Sequence, residues 1–116
     1  MEAPRLHHGQ LDSYQAAVRF VGLAARLAEA FPRGYSGLSD QLRRASLSVP
    51  LNIAEGYGKR SLADRGRFYD IARGSAHECG AIVDAAEALG FVDDECFVEA
   101  KTLLVRIVSM LVKMTS

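Results

Sequence analysis

The apolar spacing between Phe68 and Leu89 constrains this chain more than any other feature. Phe68, Ala72, Ser75, Cys79, Ile82, Ala86 and Leu89 recur in alternating steps of four and three, the period of one helical face. The strict alternation of a half-buried strand occurs nowhere in the chain. Three more segments carry helical stripes. The first runs Leu11, Tyr14, Val18, Val21, Ala25 and Ala28, and should end near Phe31-Pro32-Arg33-Gly34. The second runs Leu38, Leu42, Ala45, Val49 and Ile53, with candidate N-caps from Ser36 to Ser39.

Gly56 to Ser61 breaks the second helix, and Ser61 or Asp64 can cap the third. Gly90 sits where a left-handed C′ residue belongs. Asp93 and Asp94 then place negative charge at the start of a fourth helix, favourable against its dipole, with Leu104, Val108 and Leu111 on one face. Short connections favour antiparallel neighbours, so the expected fold is all-α: an antiparallel, up-down-up-down four-helix bundle. A chain of 116 residues, 49% hydrophobic and 24% charged, suits one folded domain. Residues 1–9 are expected as a flexible tail and residues 10–116 as the bundle.

A second set of apolar positions points beyond the monomer. Leu47, Leu51 and Ala54 lie off the main stripe of the second helix, as do Cys96, Ala100, Leu103, Ile107, Met110 and Met114 on the fourth. One bundle seam does not bury two stripes of a helix, unless both belong to a single wide core-facing stripe. We therefore expect a homo-oligomer, with Leu47, Leu51, Leu103, Ile107, Met110 and Met114 at the subunit interface.

The formal net charge is zero, which argues against binding nucleic acid through bulk charge. The distribution is uneven. Between Arg33 and Arg73 there are eight basic and four acidic residues, whereas Gly74 to Glu99 holds seven acidic residues and no Lys or Arg. Such polarity can steer a charged partner or orient copies head to tail, although solvated helix faces would show it too. Two cysteines without CxxC or paired-histidine spacing suggest neither a disulfide framework nor a zinc site. No basic start leads into an apolar leader, and no apolar run approaches the ~18 residues of a spanning helix. The expectation is a cytoplasmic protein with no membrane contact.

The polar block from Gln41 to Arg60 interrupts this pattern. Pro50 removes a backbone donor, so the second helix should kink or restart between Ser46 and Leu51. Asn52 and Glu55 lie on one side of that helix, and Arg73 and Glu78 on the third are candidate partners. These four read as a polar packing network that sets helix register, or alternatively as the lining of a cleft.

Residues 41–56 (Gln-Leu-Arg-Arg-Ala-Ser-Leu-Ser-Val-Pro-Leu-Asn-Ile-Ala-Glu-Gly), then Gly58-Lys-Arg, Arg67-Phe, Ile71-Ala-Arg-Gly-Ser75 and Glu78, strongly resemble one family. It is the four-helix-bundle proteins named for 23S ribosomal RNA intervening sequences. The resemblance covers about residues 11 to 114. It implies an up-down bundle that forms a ring, typically a homopentamer. It also suggests kinship with accessory proteins of diversity-generating retroelements, which bind nucleic acid and a reverse transcriptase. Those relatives are markedly basic, whereas this chain is neutral, with an acidic third helix. Arg43, Arg44, Lys59, Arg60, Arg65 and Arg67 are the residues able to form a local basic rim for RNA or DNA, repeated by assembly. Pairing of Arg43 and Arg44 with acidic neighbours is the alternative.

Other signals are set aside. His7-His8 belongs to the tail, and His77 beside Glu78 does not place two ligands on one face. The Glu-x-x-His element of di-metal bundles is absent. Gly56-Tyr-Gly-Lys lacks the strand and spacing of a phosphate loop and reads as a helix-breaking turn. Ser46, Ser48 and Ser75 have no histidine at helical spacing to act as base. Tyr57 and Tyr69 suit base stacking or packing on their own subunit. The expected function is thus a non-enzymatic oligomeric module, with no catalytic residues, cofactor or metal.

Overall fold

The computed structural model describes residues 2–115, and it consists of four helices: α1 (Asp12–Glu29), α2 (Ser36–Tyr57), α3 (Leu62–Ala88) and α4 (Asp94–Thr115). No strand occurs among the described residues. Consecutive helices pack side by side and α4 closes back on α1, while α2 and α4 make no direct packing contact and so occupy opposite corners. Contacts run in opposite senses along neighbours. Gly56 of α2 meets Tyr69 of α3, and Ser48 meets Ser75. Gly80 of α3 lies under Leu104 of α4, and Asp84 reaches Lys101. Helices α2 and α4 therefore point the same way.

The ends follow from local chemistry. Ser61 Oγ accepts the Asp64 N–H at 3.1 Å, which makes Ser61 the cap of α3 and places Asp64 in its first turn. Gly90 has φ +80°, and the Phe91 and Gly90 amides donate to Ala86 and Glu87 carbonyls. Those two bonds close a Schellman motif that only a residue tolerant of positive φ completes cheaply. Asp93 Oδ1 accepts the Cys96 N–H at 2.8 Å and caps α4. That bond favours the charged carboxylate and holds Asp93 below its ordinary pKa.

Two details differ from expectation. Of the two expected outcomes at Pro50, a kink or a restart, the restart does not occur: Pro50 is buried inside a continuous helix. Proline withholds one i→i−4 bond, and packing on both sides of α2 keeps the remaining turns in place. The apolar face of α1 is also rotated from the expected one. Phe20, Leu23, Ala24 and Leu27 are buried, whereas Val18 is exposed and Val21 and Ala25 are half-buried. Ahead of α1, His7–Gln10 forms a 3-10 turn in contact with α1 and α2. Its His7 ring lies 4.9 Å from Tyr57, and its His8 ring 4.7 Å from Tyr14.

The core is filled by Phe20, Leu42, Val49, Ile53, Val83, Ile107 and Leu111. Leu103 and Ile107 are only 8% and 0% exposed within a single chain. Within one chain both therefore pack chiefly in the protomer's own core. Met110 and Met114 are half-buried against the same core, and Met114 Sδ accepts from Ser13 Oγ at 3.3 Å.

Candidate functional site

Helix spacing places Gln41, Ser48 and Asn52 on the side of α2 that faces Ser75 and Glu78 of α3, and polar side chains meet along that seam. Asn52 Nδ2 donates to the Ser48 carbonyl at 2.8 Å and to Ser48 Oγ at 3.0 Å. Ser75 Oγ donates to Ser48 Oγ at 2.7 Å. About two turns away, Gln41 Nε2 donates to Glu78 Oε2 at 3.3 Å. Gln41, Arg44, Ala45, Ser48, Ser75 and Glu78 line a shallow polar groove here of about 340 Å3.

Of the expected quartet, Asn52 and Glu78 contribute to this seam and Glu55 and Arg73 do not. Glu55 pairs with Lys59 one turn on at 3.2 Å, and Arg73 pairs with Asp70 at 3.9 Å. The first pair joins the last turn of α2 to the residue just past its C-cap and the second lies within α3; both are largely exposed, where such pairs contribute a few tenths of a kcal/mol (about 0.3–0.5). The residues that join the helices are Gln41, Ser48 and Ser75. Ser48 lies four residues before Asn52, the spacing of one helix face, and that signal was available in the sequence.

Cys79 sits beside the seam, fully buried. Burial and the neighbouring Glu78 push its thiol up to about 12, so it stays protonated and is no nucleophile. Cys96 is likewise raised, chiefly by its hydrogen bond with Asp93. Among the described residues no group of three or more His, Cys, Asp or Glu is placed to hold a metal ion. Among the described residues no helix is long and apolar enough to cross a membrane.

The six basic residues divide into two groups. Lys59, Arg60, Arg65 and Arg67 surround the α2–α3 turn together with Tyr57 and Phe68. Lys59 and Arg67 lie over the Phe68 ring, at 5.1 and 5.3 Å from its centroid, and Arg65 over Tyr57 at 5.2 Å. Arg65 Nε also donates to the Lys59 carbonyl at 2.8 Å, which fixes the turn. Arg67 stands 3.6 Å from Asp64. Arg43 and Arg44 belong elsewhere, with Arg44 about 22 Å along α2 from Lys59 at 1.5 Å per residue. Arg43 is tied to Ser39 Oγ at 2.7 Å, and Ser39 Oγ in turn donates to the Ala28 carbonyl at the end of α1.

Exposed apolar side chains stand on every helix, Val18 on α1 and Leu62 and Ile71 on α3 among them, and α2 and α4 each carry a group of them. On α2, Leu47 is 48% and Leu51 64% exposed; on α4, Val98, Val105 and Val112 are 60%, 63% and 43% exposed. The valines were not expected at the surface. Their spacing of seven residues was the sign that they share one face.

A compact four-helix bundle with a hydroxyl-and-amide seam between its second and third helices is thus defined. A family model, 23S rRNA-intervening sequence protein, matches residues 9–113, and the chain belongs to that family. The crystal structure of a protein of unknown function from the S23 ribosomal protein family of Bacteroides thetaiotaomicron has the same fold, with a TM-score of 0.82. That similarity covers 90% of this chain and 98% of the other at 18% identity, so it concerns the fold alone. No curated protein matches the sequence significantly.

Proposed function

We propose that this protein is a non-enzymatic assembly module, a bundle that joins copies of itself into a closed ring. The observation that carries this reading is the pair of exposed apolar patches on opposite corners, Leu47 and Leu51 on α2 and Val98, Val105 and Val112 on α4. Two different patches on different sides suit a heterologous contact, which closes into a ring when the rotation allows. The family resemblance leads us to expect a homopentamer. Native mass measurement at micromolar concentration tests the proposal: a single multimeric species is expected, and a stable monomer overturns it.

A second reading, nucleic-acid binding, is favoured by one observation. Lys59, Arg60, Arg65 and Arg67 gather with two aromatic rings at one end of the bundle, and a ring would repeat that rim in every copy. Binding of a short RNA or DNA should then weaken steeply with salt and fall when Arg60 and Arg67 become Glu. Undetectable binding at low ionic strength rejects this reading.

A further inference from the structure

The two apolar corners also match each other in detail. On α2 the run is Leu47, Leu51 and the half-buried Ala54, continued by Gly58 at the C-cap, in steps of four, three and four. On α4 it is Val98, Thr102, Val105 and Ser109, in the same steps. Laid side by side in parallel, Leu47 falls opposite Val98, Leu51 opposite Thr102 and Ala54 opposite Val105. The same register brings Arg44 opposite Glu95 and Glu55 opposite Arg106, so opposite charges meet at both ends of the apolar stretch. Small side chains on each run (Ala54 and Gly58, Thr102 and Ser109) let the helices approach closely.

The direction follows from the topology. Rotation about an axis along the bundle keeps helix direction from copy to copy. Helices α2 and α4 already point the same way within one protomer, so α2 of one copy meets α4 of the next in parallel. Val105 and Ser109 line a groove of about 350 Å3 between α3 and α4, together with Ala76, Gly80 and the Asp84–Lys101 ion pair. It offers space for side chains of the incoming helix. From this we infer that the subunit contact is a parallel, coiled-coil-like seam in which α2 of one copy packs on α4 of a second copy in the Leu47–Val98 register. The inference rests on the ring reading and specifies its interface.

Cysteine pairs test it in a Cys96→Ser background, with native mass measured on each variant. Leu47→Cys with Val98→Cys should give a ladder of disulfide-linked copies on oxidation, because α2 and α4 stand too far apart to link within one chain. Leu47→Cys with Ser109→Cys should not. A ladder from the second pair alone overturns the parallel direction. No ladder from either pair in a protein that still assembles overturns the seam and leaves the ring standing. A wild-type monomer overturns the ring itself. Charge reversal supplies an independent readout. Arg44→Glu or Glu95→Arg alone should weaken assembly by about two- to fivefold per contact, and the double variant should restore it. Failure to restore it counts against the register.

Discussion

Gly56 and Gly74 both lie inside helices, yet alanine should act on them in opposite directions. At Gly56 a Cβ would stand 2.8 Å from Tyr69 Cε1 and 3.0 Å from Phe68 Cβ, where α2 crosses α3. Gly74 has nothing within 4 Å. Alanine gains up to about 1 kcal/mol over glycine from backbone entropy in a helix. Overpacking a tight contact costs about 1–3 kcal/mol, so the steric cost outweighs the gain at Gly56. Chemical denaturation should show Gly74→Ala stabilised by about 0.5–1 kcal/mol and Gly56→Ala destabilised by about 1–2 kcal/mol. Stabilisation of Gly56→Ala would show that α2 and α3 do not approach closely there. The glycine had been read as a helix breaker. It lies buried within α2 instead, and its role depends on a long-range neighbour that local sequence does not reveal.

At the scale of the element, existence and ends were legible, while the facing of each stripe was less so. Gly90, Ser61 and Asp93 mark boundaries because capping is local chemistry. The α3 stripe shows the limit. Ala72, Cys79, Ile82 and Ala86 are buried as expected, but Leu89 is exposed and Tyr69 replaces Phe68 in the core. Tyr69, Ala72, Ala76, Cys79, Val83 and Ala86 form their own strict three-four alternation, so the core face shares Ala72, Cys79 and Ala86 with the expected stripe but takes its flanking positions from the other side, a choice that apolar period alone leaves open. In α1, apolar residues occupy nearly every face, and the polar positions held the better signal. Asp12, Gln15, Arg19, Arg26 and Glu29 all lie on the exposed side. The polar seam was only partly legible, because Glu55 and Arg73 take partners three or four residues away in sequence instead of across the helix pair, a choice that depends on rotamers and not on spacing.

The cap of α4 carries a pH dependence. Asp93 has a folded pKa below its ordinary value, mainly through the Cys96 N–H. Its stabilising contribution is complete above the unfolded value of about 3.9 and is lost as pH falls through the lowered folded value. Asp93→Asn keeps a capping side chain without the titration. Below about pH 4, wild type should therefore lose stability more steeply than Asp93→Asn, as read by thermal melts across pH 2–6. Parallel pH profiles would show that this carboxylate is not held by the helix end.

For the whole molecule, the proposed ring makes α4 a place where folding and assembly can be tested separately within three residues. Ile107 is fully buried and Val105 is 63% exposed. Aspartate at 107 would bury a charge with no partner, a cost of several kcal/mol, and Ile107→Asp should lose its helical circular dichroism. Aspartate at 105 meets water in a lone protomer, where surface substitutions usually change stability by no more than about 0.5 kcal/mol. In an assembled ring the same carboxylate would be forced into the apolar seam. Val105→Asp should therefore keep its helical signal and run as a monomer. Its melting midpoint should not vary with protein concentration, whereas that of the wild type rises with concentration because association stabilises the folded state. If Val105→Asp instead assembles like wild type, the outer face of α4 takes no part in joining the copies. The contact must then be sought around Leu47 and Leu51 without it.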